Sequence, residues 1–372
     1  MTTHAASSTS TEPVVSGSSR RLLAWRPVVV PWIVSRVVAA IGLCLVGAKP
    51  FGRVDLDALA DWDTGWFQSI VRDWYGPAKL PTPWAVGPEH WTRWPFFPLA
   101  PALARVVQVF GVSGRVSLIV VNNLAFLLAL AGLYRLARRH VGTGGASLAV
   151  WAMALFPGSI TSVMGYSGGL FVAGMVWAFV FVEDERFLPA GLAIAVAVSA
   201  RPNGFLLLAP LALAAFLISR RVRPVVLVAA PSVVFLVAWA TWCRHVTGDA
   251  LVFFHAKAAW EEVSLGQFLR HPLAGNSTVH VFLCAIAVLL LLTWARRTPL
   301  PWHLLVAVMV LPSLALGMTG LGRYSAESFP VFIAAAGLLG RLPRWTRPLY
   351  LVASALGLVL FGAMVNRWRY VP

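Results

Sequence analysis

Long apolar runs alternate with short polar or basic segments along most of the 372-residue chain. A helix that crosses the hydrocarbon core of a bilayer needs about 20 predominantly apolar residues, and many of the runs approach this length. The pattern predicts an all-α polytopic membrane protein with about eleven transmembrane helices. The predicted spans are residues 31–48, 116–134, 146–163, 165–182, 187–200, 204–219, 224–242, 279–294, 300–318, 328–340 and 348–365.

One apolar stretch, residues 95–110, is not counted as a span. It contains three prolines together with Arg105 and Gln108, and prolines interrupt the hydrogen bonding of a helix interior. We expect a short helix that lies in the membrane interface. This interpretation also places the basic cluster at 135–139 on the same side as the other basic clusters, as the positive-inside rule requires.

Composition excludes a soluble globular protein. Hydrophobic residues make up 59% of the chain and charged residues only 12%, whereas a soluble domain has about 25% charged residues. Lys and Arg number 30 against 14 Asp and Glu, which gives a formal net charge of +16. Because the basic residues form short clusters between apolar runs, the excess is typical of cytoplasmic loops and not of a nucleic-acid-binding protein.

The basic clusters orient the chain. With the N-terminus in the cytoplasm, all dense clusters fall on the inner side of a plasma membrane. Residues 1–26 are predicted to form a disordered cytoplasmic tail, because the segment is rich in Ser and Thr and poor in apolar residues. Residues 27–372 then form a single transmembrane domain, with a large outer loop at about 49–115 that carries interfacial helices and a second outer loop at about 243–278.

The same threading places the unusual polar motifs together on the outer face. A channel or a scaffold has no need to gather such motifs on one side, whereas a catalytic cleft at the membrane surface does. The motifs lie at residues 61–66, 93–101, 156–169, 200–204, 243–278 and 320–327.

Two carboxylates of the first outer loop are candidates for catalysis. Asp61 and Asp63 are next to Trp62 and Trp66, and partial desolvation against an aromatic wall makes a carboxylate a stronger base. The alternative is a helix start, in which Asp61 is the N-cap and the acids favour the first turn. The tryptophans fit either a platform for a sugar ring or an interfacial aromatic belt.

Arg201 and Arg323 are candidates for binding phosphate. Each stands beside a turn on the outer face, where the orientation rule disfavours basic residues, and a guanidinium can grip a phosphate with two hydrogen bonds. The alternative is that both side chains extend to lipid headgroups. No metal-ligand spacing is present, although a divalent ion that shares the phosphate with Asp61 or Asp63 remains compatible with the sequence.

The chain contains no P-loop, no GxGxxG after a strand and no GxSxG motif. A transferase on the outer face without a nucleotide site has to use a lipid-linked donor. The sequence therefore favours a membrane lipid as the carrier of the transferred group.

Five blocks of the sequence form a recognisable series. They are Asp61–Phe67 followed by Trp74–Gly76, Phe96–Pro101, Phe156–Ser159 with Tyr166 and Ser167, Arg201–Gly204, and Arg323 and Tyr324 with Phe329 and Pro330. In this order the blocks resemble the PIG-V-type mannosyltransferases, which belong to the GT-C superfamily of glycosyltransferases. Two positions differ: Gly168 stands where that family usually has Glu, and Trp74-Tyr75-Gly76 reverses the usual Gly-Tyr order.

The resemblance implies an inverting transfer of mannose from a polyprenyl phosphate to a glycolipid or glycan acceptor. It implies that Asp63 is the catalytic base, with Asp61 as a second catalytic candidate. The residues expected to bind the donor phosphate or the substrate are Arg201, Arg323, Tyr324, Asn203, Tyr166, Trp62, Trp66 and Arg93.

Two alternatives stay open at this point. The donor sugar could be arabinose or glucose, because sugar choice depends on pocket shape. A lipid or glycan flippase is the alternative from another class, and it predicts polar residues along a path through both leaflets. Within the spans, Arg36, Asn122 and Asn123 are the conspicuous polar residues.

Overall fold

The computed structural model describes residues 17–45, 59, 62–76, 90–259, 265–270, 277–316 and 320–366. All regular structure in these ranges is helical, which confirms the all-α prediction. The helices are α1 (Gly17–Leu45), α2 (Asp63–Asp73), α3 (Leu99–Gln108), α4 (Gly114–Leu155), α5 (Gly168–Glu183), α6 (Phe187–Ala200), α7 (Leu208–Ser219), α8 (Val222–Thr247), α9 (Val252–His255), α10 (Leu265–Arg270), α11 (Ser277–Thr293), α12 (Leu300–Leu316), α13 (Leu321–Glu327), α14 (Phe329–Leu339) and α15 (Thr346–Asn366).

The apolar helices coincide with the predicted spans. Helix α4 is 42 residues long and has a break at Gly142, where φ is 70°. It contains the predicted span 116–134 and the first ten residues of the predicted span 146–163. The prediction is wrong for residues 156–163, because the helix ends at Leu155 and a 3-10 turn follows at Pro157–Ser162. Five apolar helices are long enough to cross a membrane by length and composition, and five shorter ones accompany them. If the two halves of α4 are counted separately, these helices match the eleven predicted spans within the described residues.

The predicted N-terminal boundary is wrong for residues 17–26. The sequence analysis assigned them to a disordered tail, but α1 begins at Gly17 and continues through Pro27 and Pro31. Adding residues to an existing helix costs less than starting a new one, because each added residue gains a hydrogen bond without a new nucleation step. The apolar span therefore extends its helix into the basic segment before it. Residues 1–16 lie outside the described residues.

Two short helices, α2 and α3, lie between α1 and α4. Helix α3 has 10 residues and is about 15 Å long, which is half the thickness of the hydrocarbon core. This confirms that the apolar stretch at 95–110 is not a transmembrane helix. Helix α2, of 11 residues, carries one of the two candidate carboxylates at its first position.

Helix α5 lies in the centre of the bundle. Nearly all of its residues are buried, which is expected for a helix that is hydrophobic on every side. It packs against α4 and α6, and a Cβ at Gly174 would lie 2.6 Å from the backbone oxygen of Ala193 in α6. Small residues of this kind let membrane helices approach closely. The segment before α5 belongs to the candidate site.

Candidate active site

Asp63 is the first residue of α2, and its carboxylate faces Arg323 of α13. Arg323 Nη1 donates a hydrogen bond of 2.7 Å to Asp63 Oδ2, although the two residues are 260 positions apart. The Asp63 side chain is 26% exposed and that of Arg323 13% exposed. The ion pair is therefore partly open, and a ligand can approach it.

Asp63 lies in the first turn of its helix. An acidic side chain in the first turn of a helix is stabilised by the helix dipole. The N-cap of α2 is Trp62, with φ 59° and no side-chain capping hydrogen bond. Trp62, and not Asp61, is therefore the N-cap, whereas the acid expected in the first turn is present as Asp63. Asp61 itself lies outside the described residues.

A second ion pair lies one turn further along α13. Glu327 accepts hydrogen bonds of 2.7 Å at both carboxylate oxygens from Arg201 Nη1, and Arg201 Nε donates to Ser167 Oγ at 3.0 Å. Only 9% of the Arg201 side chain and 5% of the Glu327 side chain are exposed. Burial raises the pKa of the Glu327 carboxyl, and the Arg201 guanidinium opposes that shift. This pair is closed off, whereas Asp63–Arg323 is open.

Both ion pairs are carried by one face of α13. Arg323 and Glu327 are four residues apart, so their side chains lie on the same side of a helix. The helix therefore presents one cation and one anion to partners that come from distant parts of the chain. The result is a compact group of four charges with two cations and two anions, which we call the charge cluster (Asp63, Arg201, Arg323 and Glu327).

Glu327 was not predicted from the sequence. The resemblance offered one signal, since a Glu is expected after Tyr-Ser where this chain has Gly168. A Cβ at Gly168 would lie 2.7 Å from Glu327 Oε1 and 3.0 Å from Arg201 Nη2. The Glu327 carboxylate thus lies beside position 168, and the absence of a side chain there leaves it room.

Tyr166 and Tyr324, both predicted to bind substrate, surround the Arg323 guanidinium. Its carbon lies 5.8 Å from the centre of the Tyr166 ring and 5.4 Å from that of Tyr324. Both distances are within the range of cation–π attraction. Tyr166 is buried, with 1% of its surface exposed. The two rings therefore help to fix the orientation of Arg323 towards Asp63.

Three other predicted residues, Trp62, Trp66 and Asn203, lie close in sequence to Asp63 or Arg201. Trp66 stacks on Phe96, with ring centres 6.0 Å apart and planes 11° from parallel. Asn203 lies half-buried in the 3-10 turn after Arg201. Trp62 directly precedes Asp63 at φ 59°, a backbone region that is strained for a residue with a side chain.

Arg93 and Arg105 both bind the C-terminal end of α2. Arg93 Nη1 donates to the backbone oxygen of Trp74 at 2.6 Å, and Arg105 Nε donates to that of Val71 at 2.8 Å. Along α2, Trp74 lies about 16 Å and Val71 about 12 Å from the first residue. Arg93 therefore binds the end of α2 that lies opposite Asp63.

The segment 156–168, which runs from the end of α4 to the first residue of α5, forms the floor of the site. It is buried along most of its length and is held chiefly by Asn122. Asn122 Nδ2 donates to the backbone oxygens of Thr161 and Met164, both at 2.8 Å, and its Oδ1 accepts from Gly169 N at 2.6 Å. These bonds satisfy backbone groups that water cannot reach.

Asn123 and Arg36 bind the same segment from the other side. Asn123 Nδ2 donates to the backbone oxygen of Val163 at 3.0 Å. Arg36 Nε donates to Asn123 Oδ1 at 2.7 Å, and Arg36 Nη2 donates to Ser162 Oγ at 2.6 Å. The three conspicuous polar residues of the spans are thus all engaged in supporting the segment beneath the charge cluster.

We expect Asn122→Ala to destabilise the protein by about 2–4 kcal/mol, because it removes three buried hydrogen bonds and leaves their partners unsatisfied. Thermal melting in detergent measures the effect. Ser199→Ala is the control, since Ser199 Oγ donates only within its own helix, to Ala195 and Val196. Equal melting temperatures for the Asn122 variant and the control would show that the segment is held by other contacts.

The described residues do not fit a resident metal ion. No group of three His, Cys, Asp or Glu side chains converges among them. The carboxylates of Asp63 and Glu327 each face a guanidinium at 2.7 Å, which already supplies the positive charge that a metal would bring. Asp61, the other carboxylate considered for a divalent ion, lies outside the described ranges.

Comparisons with known proteins identify the fold. No protein-family model matches the chain, and no curated protein sequence matches it. Among solved structures, the chain is similar to ArnT from Cupriavidus metallidurans bound to undecaprenyl phosphate, with a TM-score of 0.58 and 17% identity over 88% of this chain and 63% of that one. It is also similar to the oligosaccharyltransferase AglB from Archaeoglobus fulgidus in complex with an inhibitory peptide and a dolichol-phosphate, with a TM-score of 0.48 and 12% identity over 91% of this chain and 55% of that one.

The likeness to ArnT shows that the chain has a GT-C-type membrane fold, as the sequence predicted. The chain spans less than two thirds of the length of ArnT. Part of ArnT therefore has no counterpart in this chain. The likeness shows the fold, and the activity depends on the residues of this chain.

Proposed function

We propose that the chain is an inverting glycosyltransferase that moves a mannosyl unit from a polyprenyl-phosphate donor to a glycolipid or glycan acceptor, on the outer face of the plasma membrane. The observation that carries the proposal is the open Asp63–Arg323 pair, with its carboxylate and guanidinium 2.7 Å apart. A base and a phosphate ligand are the two groups that this reaction needs. The fold adds support, because ArnT, which shares it, was crystallised with undecaprenyl phosphate.

In the proposed reaction Asp63 accepts the proton of an acceptor hydroxyl as that oxygen attacks the anomeric carbon of the donor. The bond between the anomeric carbon and the phosphate oxygen breaks, and its electron pair leaves with the polyprenyl phosphate. Attack and departure occur on opposite faces of the sugar, so a β-linked donor gives an α-linked product. General base catalysis of this kind contributes about 100-fold to 10,000-fold to the rate.

Arg323 is the residue that stabilises the leaving phosphate in this proposal. One N–H group of Arg323 donates to Asp63 in the structure, and a guanidinium is planar and suited to phosphate oxygens. In the proposed reaction Arg323 binds these oxygens as negative charge grows on them, which accelerates the reaction because the interaction strengthens in the transition state. Arg323 thus links the base to the leaving group.

Arg201 has a different role from the one expected of it. Its guanidinium is buried and binds both carboxylate oxygens of Glu327, so its charge is already compensated. A buried and compensated guanidinium is a poor ligand for a substrate phosphate. We assign Arg201 and Glu327 to the support of α13, which carries Arg323.

An aromatic groove supports a lipid-linked donor. It has a volume of about 530 Å³ and lies between α3, α6 and α8, with Trp74, Leu99, Trp239 and Trp242 among its lining residues. Ser199, two residues before Arg201, lines the same groove. A groove with an apolar and aromatic lining suits an isoprenoid chain, because burial of apolar surface favours binding.

We expect Arg323→Lys to lower turnover at least ~100-fold while the protein still folds, because Lys keeps the charge but loses the planar fork. Arg201→Lys should instead lower the melting temperature, since the buried Glu327 loses its paired hydrogen bonds. Kinetics and thermal melting of both variants separate these effects. Arg138→Lys is the control, because Arg138 is exposed and its guanidinium lies over the Tyr134 ring.

Near-normal turnover of Arg323→Lys would contradict the phosphate role of Arg323. Arg105 does not serve as a control. Its guanidinium binds the backbone oxygens of Ile70, Val71 and Arg72 at the end of α2, so its replacement is expected to disturb the helix of Asp63.

The proposed orientation has its own test. In a cysteine-free background, Phe110→Cys should react with an impermeant thiol reagent in intact cells, and Gly144→Cys should not. Phe110 is 84% exposed and lies at the same end of α4 as the site, whereas Gly144 is exposed beside the break at Gly142. Labelling of Gly144→Cys without permeabilisation would reverse the orientation.

Mannose is proposed from the sequence resemblance, and arabinose and glucose are the alternatives. The test is a panel of polyprenyl-phosphate donors that differ only in the sugar, incubated with the purified protein and a mixed lipid extract. Transfer from the mannosyl donor at least ~10-fold faster than from the others supports mannose, because a few correctly placed contacts contribute this much discrimination. Faster transfer of arabinose or glucose would overturn the choice of sugar and leave the reaction type intact.

The flippase alternative has less support. It needs polar side chains that line a route through the bilayer. Arg36, Asn122 and Asn123, which were the candidates for such a route, bind the buried segment 156–168 instead. Their polar groups are used to hold the site in place.

A further inference from the structure

The end of the bundle opposite the charge cluster carries a dense group of arginines. Helix α14 starts two residues after Glu327 and runs for 11 residues, about 16 Å, towards this end. Arg341 follows α14, and Arg297 lies in the 3-10 turn after α11. Their guanidinium carbons lie 4.4 Å and 5.3 Å from the centre of one ring, that of Trp294. Two like charges therefore share a single aromatic side chain.

These two arginines lack the acidic partners that other arginines have at the same end. Arg139 pairs with Glu183 and Asp184. Within the part of the chain that the structure describes, no ion pair includes Arg297 or Arg341. Both residues are exposed. Their combined charge therefore faces outward, and no carboxylate among the described residues lies within ion-pair distance of either guanidinium.

The tryptophan between them is fixed in position. Only 8% of Trp294 is exposed, and a Cβ at Gly337 of α14 would lie 2.5 Å from Trp294 Cε2. The ring thus packs against the backbone of α14, where a larger residue would displace it. The two guanidinium groups therefore pack against a ring whose position is fixed.

Apolar side chains border the two arginines. Trp345 is 65% exposed and Leu342 is 41% exposed, and both follow Arg341 closely in the chain. Exposed tryptophan at the end of a membrane helix is typical of the level of the lipid headgroups. Arg296 and Arg344 add two further exposed cations to the same surface.

We propose that Arg297, Arg341 and Trp294 form a binding site for the phosphodiester headgroup of an anionic phospholipid. The two guanidinium groups supply paired N–H donors for phosphate oxygens, and basic pockets between membrane helices bind such headgroups. Trp345 and Leu342 lie beside the acyl chains of the bound lipid. These apolar neighbours favour a lipid over free phosphate. The site is independent of the proposed glycosyl transfer.

The test is a titration of the purified protein in neutral detergent with phosphatidylglycerol, followed by thermal melting. The wild type should show a saturable rise in melting temperature, and the double variant Arg297→Gln, Arg341→Gln should need about 30-fold more lipid for half-saturation, as expected for the loss of two basic residues near an anionic lipid. The control is Arg138→Gln, Arg223→Gln, which removes the same charge from exposed positions at the same end. It should behave like the wild type.

Two additional titrations define the ligand. Phosphatidylcholine and inorganic phosphate should each leave the melting temperature unchanged at concentrations that saturate with phosphatidylglycerol. An equal response to phosphatidylcholine or to phosphate would overturn the assignment to an anionic lipid. An equal loss of affinity in the double variant and in the control would overturn the assignment to Trp294 and its two arginines.

Discussion

Asp63→Asn is expected to lower turnover at least ~100-fold while donor binding persists. Asparagine keeps the size of the side chain and can still accept a hydrogen bond from Arg323, but it cannot take the proton of the acceptor hydroxyl. The Asp63–Arg323 pair is partly exposed, so its loss should change folding little. Single-turnover kinetics with a labelled donor separates the chemical step from binding.

The matched control for this prediction lies on the same helix. Asp73 is the last residue of α2 and pairs with Arg72, at the end opposite Asp63. Asp73→Asn should leave turnover within about twofold of the wild type, because exposed ion pairs contribute little. Full activity of Asp63→Asn would remove Asp63 from the role of base and leave Arg323 as the only group with a proposed chemical function.

Glu327→Ala is expected to cost about 3–5 kcal/mol of folding stability, because it leaves the buried Arg201 without its counter-ion. Thermal melting should show this loss, and activity should fall with it, since α13 also carries Arg323. Loss of stability alone would not distinguish a lost charge from a lost side chain. A variant that returns the charge from another position makes this distinction.

A carboxylate at position 168 can restore the negative charge that Glu327→Ala removes. A Cβ there lies 2.7 Å from the present place of Glu327 Oε1, and an aspartate oxygen lies about 2.4 Å from its own Cβ by standard bond lengths. Gly168→Asp combined with Glu327→Ala should therefore recover much of the stability and activity, whereas Gly168→Asp alone should be harmful because two carboxylates would crowd Arg201. No recovery in the combined variant would mean that Glu327 acts through more than its charge.

The spans could be predicted from the sequence because their cause is local. A run such as 187–200 is apolar throughout, and α6 has these bounds. The N-terminal limit of α1 was wrong because helix propagation, and not hydrophobicity, decides where it begins. The break at Gly142, by contrast, lies between two predicted spans, where the change from apolar to basic residues had indicated a turn.

The partners within the charge cluster could not be predicted from local sequence. Asp63, Arg201 and Arg323 were singled out as individual residues, but the pairing of Asp63 with Arg323 joins positions 260 residues apart. No local pattern encodes such a contact, since it depends on how α2 and α13 meet. Glu327 was missed because an acid near the end of a short polar motif resembles an ordinary loop residue, and only its burial reveals its importance.

The central claim is that the protein transfers a sugar from a lipid phosphate and does not carry a lipid across the membrane. The most direct test uses the purified protein in liposomes with a polyprenyl-phosphate-mannose donor labelled in the sugar, together with a mixed lipid acceptor. We predict that the label moves to a new lipid or glycan and that an equal amount of polyprenyl phosphate is released, with both products lost in Asp63→Asn. Label that stays on the intact donor while the donor changes leaflet would contradict the account.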